Sequence, residues 1–169
     1  MKVIIFFLFL FPLTIIAQDM NKCIIDTTTN KAMLIGPTSL EAFKDTAFAE
    51  WYNSEYDNYS IDSSALTSLG NDFSLIEVKI VMGTWCSDSR REVPRLMKIL
   101  NHIDFPLTKL TIINVDRKKD DHNGKVKNLD IEKIPTVIVY KDGYEMGRII
   151  ETPQESLEKD LVRYFNRKI

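Results

Sequence analysis

The sequence predicts an α/β fold: a mixed central sheet with helices on both faces, preceded by an N-terminal helical extension. Three observations point there. From residue 75 onward, apolar runs of strand length alternate with segments of helical period. The order is strand, helix, strand, short helix, strand, strand, helix, and its first three members form a βαβ unit with a right-handed crossover. The last two strands are joined by Lys141-Asp142-Gly143, where Asp-Gly is the chemistry of a hairpin turn.

Residues 18–72 form the extension, with one or two helices, and 73–169 the main domain. Residues 18–35 are polar and irregular apart from a short strand over 32–35. Gly36-Pro37 marks a turn, and Thr38 with Glu41 has capping-box spacing. Leu40, Phe43, Ala47, Phe48, Trp51 and Tyr52 then recur at helical spacing over 40–56, an aromatic face that docks on the core. The main domain opens with a strand over 75–82. Cys86 begins a helix whose Val93, Leu96, Met97 and Leu100 fall at i, i+3, i+4 and i+7. The β-branched run 110–115 is a second buried strand. A polar stretch with a short helix near 124–129 leads to strands over 136–140 and 146–150. Thr152-Pro153-Gln154-Glu155 starts the closing helix, with a threonine N-cap, proline at the first position and glutamate completing the box. Leu157, Leu161, Tyr164 and Phe165 form its buried stripe.

The first residues read as a secretory signal peptide over 1–17. Lys2 precedes an apolar run over 3–16 interrupted by Pro12 and Thr14, and Ala17 offers a small residue for cleavage. That run is short of the roughly 20 residues a bilayer-spanning helix needs. The expected mature chain starts near Gln18, has no membrane anchor after cleavage, and is periplasmic or extracellular. Cys23 is not expected to carry a lipid, because Lys22 precedes it where a small residue is needed.

The chain has 22 basic and 24 acidic residues, a formal charge of −2. This argues against nucleic acid as a partner, which needs a basic face. Arg117-Lys118-Lys119 runs straight into Asp120-Asp121 and reads as a solvated loop. His102 and His122 lack partners at metal-ligand spacing, so no metal is expected. Without a glycine-rich phosphate loop or a Gly-x-Ser-x-Gly elbow, no cofactor is implied either. Asp116 ends a strand and reads as a capping or turn residue.

The chemistry centres on Trp85-Cys86-Ser87-Asp88-Ser89. Gly83-Thr84-Trp85-Cys86 follows a strand and precedes a helix, so Cys86 falls at the helix N-terminus, where free N–H groups and the dipole favour a negative sulfur. Ser89, one turn on, is placed to donate its hydroxyl to the thiolate. Asp88 opposes a second anion, and Arg90 and Arg91 partly offset it. An inert, packed cysteine is the rival reading.

These residues resemble the thioredoxin-like superfamily over roughly 75–169. Trp85-Cys86, Arg90 and Pro94 match the active-site helix, Ile134-Pro135-Thr136 the cis-proline segment, and Tyr140-Lys141-Asp142-Gly143 the following hairpin. The resemblance implies that Pro135 is cis, that Ile134, Pro135 and Thr136 shape a groove facing Cys86, and that the Ile134 backbone pairs with an extended substrate. Two departures stand out. Ser89 replaces the resolving cysteine, and Ile80 occupies the place of the buried carboxylate that helps move its proton. Losing both is coherent.

The function this implies is thiol–disulfide exchange on protein thiols or disulfides through one motif cysteine, a monothiol oxidoreductase. Its mixed disulfide would be resolved externally, with a small thiol or another oxidoreductase as electron donor, or by Cys23. The alternative is a redox-inactive module that binds peptides in the cis-proline groove. A glutathione-dependent glutaredoxin fits poorly with an export signal. Mass spectrometry of the exported protein is expected to give a start near Gln18 and no lipid on Cys23. An intact Met1 would overturn the leader.

Overall fold

The structure is a computed structural model that describes residues 20–168, so the leader expected over 1–17 lies outside the described residues. The chain runs β1 (Lys22–Asp26), β2 (Lys31–Thr38), α1 (Thr46–Asn58), β3 (Ile76–Met82), α2 (Ser87–His102), β4 (Leu110–Asn114), β5 (Thr136–Lys141), β6 (Tyr144–Ile150) and α3 (Leu157–Phe165), with short 3-10 turns ahead of α1 and β4. The strands form one sheet in the order β1-β2-β4-β3-β5-β6. Only β3 and β4 are parallel, joined by the crossover through α2; every other neighbouring pair is antiparallel. A mixed sheet flanked by helices is thus what the chain forms.

The segment ahead of β3 contributes strands as well as a helix. The strand expected over 32–35 extends to Lys31–Thr38 and folds back on β1, which lies in a stretch that reads as irregular. Asp26 makes that hairpin, its carboxylate accepting from the Thr28 amide at 3.0 Å and the Thr29 hydroxyl at 2.7 Å. Asn30 completes the turn at φ 55°, a left-handed conformation that asparagine tolerates.

Three local expectations are corrected. Asp45, not Thr38, caps α1 by accepting from the Ala47 amide at 2.8 Å. The Thr38 hydroxyl is engaged elsewhere, donating to the Gly36 carbonyl and accepting from Asn114. No helix forms near 124–129, because the buried Asp121 carboxylate takes the Lys125 and Val126 amides and Gly124 turns the chain at φ 71°. The closing helix starts at Leu157, with Ser156 accepting from the Lys159 amide. Thr152 instead bridges to Ile150, and buried Asp160 accepts from the Gln154 amide at 2.6 Å, holding 152–156 as a loop over the helix end.

The two faces of the sheet carry separate clusters, as strand alternation requires. Ile76, Val78, Ile80 and Met82 of β3 join the main core with Phe48 of α1, Leu96 and Leu100 of α2, and Leu161 and Phe165 of α3. Val81 of β3 points the other way, to Ile113, Val115, Val126 and Ile134; Trp85 and Cys86 pack against this smaller cluster.

Gly147 of β6 lies flat against the Tyr164 ring of α3. A Cβ added there would overlap ring carbons, with Cζ only 2.8 Å away. The ring is buried and its hydroxyl is tied to the Arg148 carbonyl at 3.1 Å, so it has nowhere to retreat. Gly147→Ala is expected to lower unfolding free energy by about 1–3 kcal/mol, the usual cost of overpacking, in a denaturant titration. An unchanged midpoint would mean that α3 can slide off β6.

Candidate active site

Parallel pairing of β3 with β4 and antiparallel pairing with β5 bring three chain segments to one end of the sheet. Met82 lies beside Asn114 and Val81 beside Thr136. The loop after β3, the loop after β4 and the approach to β5 therefore meet. They carry Gly83 to Cys86, Val115 to Arg117, and Ile134 to Pro135.

Cys86 is the N-cap of α2: its backbone is extended (φ −89°, ψ 128°), and its carbonyl accepts the first helical bond from the Arg90 amide at 3.0 Å. The half-buried thiol donates to the Ile134 carbonyl at 3.5 Å. The Ile134–Pro135 bond is cis, and the Pro135 carbonyl is already taken by the Glu151 amide at 2.7 Å. Thr136 is turned away from this approach, its buried hydroxyl donating to the Lys133 carbonyl at 2.6 Å. Cys86, Trp85, Ile134 and Pro135 thus gather, while the Thr136 side chain serves the turn.

Ser89, one turn after the thiol, is more deeply buried than Cys86. It is fully buried, at 0% exposure, and its oxygen accepts from the Gly83 amide at 3.2 Å. Among the described residues Ser89 does not make the expected hydrogen bond to Cys86; the bond its oxygen receives from the Gly83 amide ties the first turn of α2 to the end of β3. The charged neighbours also sort differently. Arg91, rather than Arg90, takes Asp88, at 2.8 Å. Arg90 turns back into the motif loop, where its Nε donates to the Thr84 carbonyl and its guanidinium lies 5.5 Å from the centre of the Trp51 ring. Arg90 supports the backbone before Cys86 and leaves Asp88 to its neighbour.

Sequence reasoning missed four residues of this site. Thr84 is fully buried and accepts from the Leu34 amide at 3.1 Å, pinning the motif loop to β2. Trp51 supports Arg90 from α1. The other two, Asp26 and Arg117, form an ion pair 91 residues apart in sequence. Arg117 presents Nε to both Asp26 oxygens at 3.1 Å and Nη2 to one at 2.8 Å. The same guanidinium lies over the Trp85 ring, 4.8 Å from its centre. The basic cluster 117–119 is therefore not wholly a solvated loop. Nothing local marks the pair, since its members belong to a turn and a loop joined only by the fold. His122 lies near Asp116, at 3.1 Å, and both thiols, Cys23 and Cys86, are free.

This is a thioredoxin-like fold with a single thiol at the head of the motif helix. A family model described as "Thioredoxin" matches residues 39–164, and the chain belongs to that family. Among solved structures, mitochondrial thioredoxin 3 of Saccharomyces cerevisiae, in its oxidised form, is 22% identical over 47% of this chain and 70% of that one, with a TM-score of 0.35. Thioredoxin O2 of Arabidopsis thaliana, also oxidised, is 24% identical over 52% and 72%, with a TM-score of 0.34. A protein of unknown function from Pseudomonas aeruginosa is 14% identical over 69% and 75%, with a TM-score of 0.41. Thiol–disulfide oxidoreductase-type function on protein thiols or disulfides is what the family carries in general.

The Arg117 guanidinium, with the Thr29 hydroxyl and the Thr28 amide, holds the Asp26 carboxyl well below the usual carboxylate range. A carboxyl depressed in the folded state contributes stability that is present above its unfolded value of about 3.9 and lost as pH falls. The melting temperature is therefore expected to drop progressively as pH falls below about 4, and to drop less steeply in Asp26→Asn. Parallel pH profiles for the two proteins would show that this pair is not what acid breaks.

Proposed function

We propose that the protein carries out thiol–disulfide exchange on protein substrates through Cys86 alone. The observation that carries this is the pairing of a half-buried thiol at a helix N-cap, facing the Ile134 carbonyl, with a fully buried serine one turn later. In the forward step the Cys86 sulfur, as thiolate, attacks one sulfur of a substrate disulfide. The Cys86–substrate bond forms, the substrate S–S bond breaks, and the second substrate sulfur leaves as a thiolate. Resolution needs an attacking thiol from outside the motif, either a further thiol of the substrate, other than the one just released, or a small thiol. Attack on the substrate sulfur of the mixed disulfide returns the electron pair to Cys86. The substrate then carries a new disulfide, and Cys86 is unchanged over the cycle. The same proposal places the mature protein outside the cytoplasm, on the strength of Lys2, the apolar run and Ala17.

The test is to supply the missing thiol. Ser89→Cys sets a sulfur on the same helix face, where attack on the mixed disulfide is intramolecular and proximity is worth orders of magnitude in rate. The oxygen that receives the Gly83 amide is lost, which costs about 1 kcal/mol. In a disulfide-reduction assay with excess dithiol, Ser89→Cys is expected to outpace the native protein by at least about tenfold. The gain is incomplete, because Ile80 supplies no carboxylate for proton transfer, and it disappears in Ser89→Cys/Cys86→Ala. No gain in a folded Ser89→Cys protein would favour a peptide-binding role for the groove.

A further inference from the structure

The ion pair of Asp26 with Arg117 is more than a strut between a hairpin and a loop. Asp26 is nearly dry, its side chain 4% exposed, while that of Arg117 is 37% exposed. A buried carboxylate needs all its acceptor sites filled, and here they are: Thr28, Thr29 and two guanidinium nitrogens. With two nitrogens engaged, the guanidinium plane cannot rotate freely. That fixed plane is the one lying over Trp85. The indole is held on two further sides. Its Nε1 donates to the Val115 carbonyl at 2.9 Å, and it lies so close to Gly83 that a Cβ there would stand 2.6 Å from Nε1. An aromatic side chain at the rim of a site, half-buried and next in sequence to the thiol, is thereby immobilised from a hairpin at the edge of the sheet.

We infer that Asp26 and Arg117 are positioning residues for the exchange reaction, clamping the Trp85 indole as a fixed wall against which a peptide disulfide is presented to Cys86. The inference rests on the exchange reading of Cys86 given above. A peptide whose disulfide must reach the thiol in one orientation gains from a rigid wall, because a displacement of an ångström in a reacting pair costs up to two orders of magnitude in rate. A small reagent that meets the sulfur from many directions gains nothing. The clamp should therefore discriminate between attackers by size. Charge alone does not suffice: a lysine at 117 could pair with Asp26 but has no plane to lay on the indole.

The experiment uses the Cys23→Ser protein, so that Cys86 is the one reporting thiol. Its probes are a cysteine peptide activated as a thionitrobenzoate mixed disulfide and iodoacetamide. Arg117→Met, Arg117→Lys and Asp26→Asn are each expected to slow peptide exchange by about tenfold while leaving alkylation by iodoacetamide within about twofold. Solvent exchange of the Trp85 indole proton, followed by NMR, is expected to accelerate in the same variants. In a Trp85→Ala background, Arg117→Met should slow peptide exchange no further, as for two residues acting through one contact. Additive losses in that background, or an indole proton indifferent to Arg117→Met, would overturn the clamp, as would a freed indole with an unchanged peptide rate. Should Asp26→Asn fail to fold, the two Arg117 variants decide. If the starting protein reacts with the peptide no faster than free cysteine does, the exchange reading itself fails. The indole exchange and the affinity of the unactivated peptide then judge the clamp as part of a binding groove.

Discussion

The site depends on the pairing of β3 between a parallel and an antiparallel neighbour. Because β3 and β4 run the same way, their C-terminal ends coincide, and because β5 runs opposite, its beginning meets them. One backbone arrangement thus sets Cys86, Val115 and Ile134 side by side from three distant parts of the chain. The α2 crossover makes the parallel pairing possible, since parallel neighbours cannot be joined by a tight turn. It also delivers the helix N-terminus directly above the strand ends. Remove that arrangement and no local feature of Gly83 to Ser89 would bring a carbonyl to the thiol.

Around this junction the polar groups are satisfied by specific partners, and those partners hold the loops in place. Thr84 takes the Leu34 amide, Ser89 takes the Gly83 amide, and Arg90 fills the Thr84 carbonyl. Each bond serves a backbone group at the point where the sheet ladder stops and the helix has not begun, where unpaired amides are costly if buried. The side chains answering them come from the motif loop and α2, and Trp51 of α1 supports Arg90 from behind. The segment ahead of β3 is therefore part of the site's support, which agrees with a family match that begins at residue 39.

Much of this was legible because it is periodic. The strands β3, β4, β5 and β6 and the stripe of α2 carry patterns that burial alone explains, and Trp85-Cys86 with Ile134-Pro135 located the thiol and its facing segment. What escaped was set by single side chains. Ser156 rather than Thr152 begins α3 because Asp160 captures the Gln154 amide, and Asp121 dissolves a helix that composition allows over 124–129. A carboxylate taking a backbone amide leaves no trace in hydrophobic spacing. The Asp26 and Arg117 pair was hidden for a stronger reason: β1 is exposed on most of its length, and its register on β2 is visible only once both strands are formed. Arg117 looked solvated because its sequence neighbours are.

The serine at 89 is best understood by what its oxygen does. A hydroxyl buried without a partner would be unfavourable, yet this one has an amide to accept, at the place where β3 gives way to the motif loop. A thiol there would be a weaker acceptor for the same amide. The residue therefore has a structural role of its own and is more than a vacant position for a second sulfur. Ile80 is consistent with that. Two positions before Met82 on the same face of β3, it is fully buried among apolar side chains of α2 and α3, an environment that would penalise a carboxylate heavily. A second thiol would call for a proton acceptor, and an acceptor at 80 would call for polar surroundings. The chain supplies neither. Packing beneath the motif and hydrogen bonding at its turn thus both fit the single-thiol exchange proposed for Cys86, which uses the half of disulfide exchange that needs no internal partner.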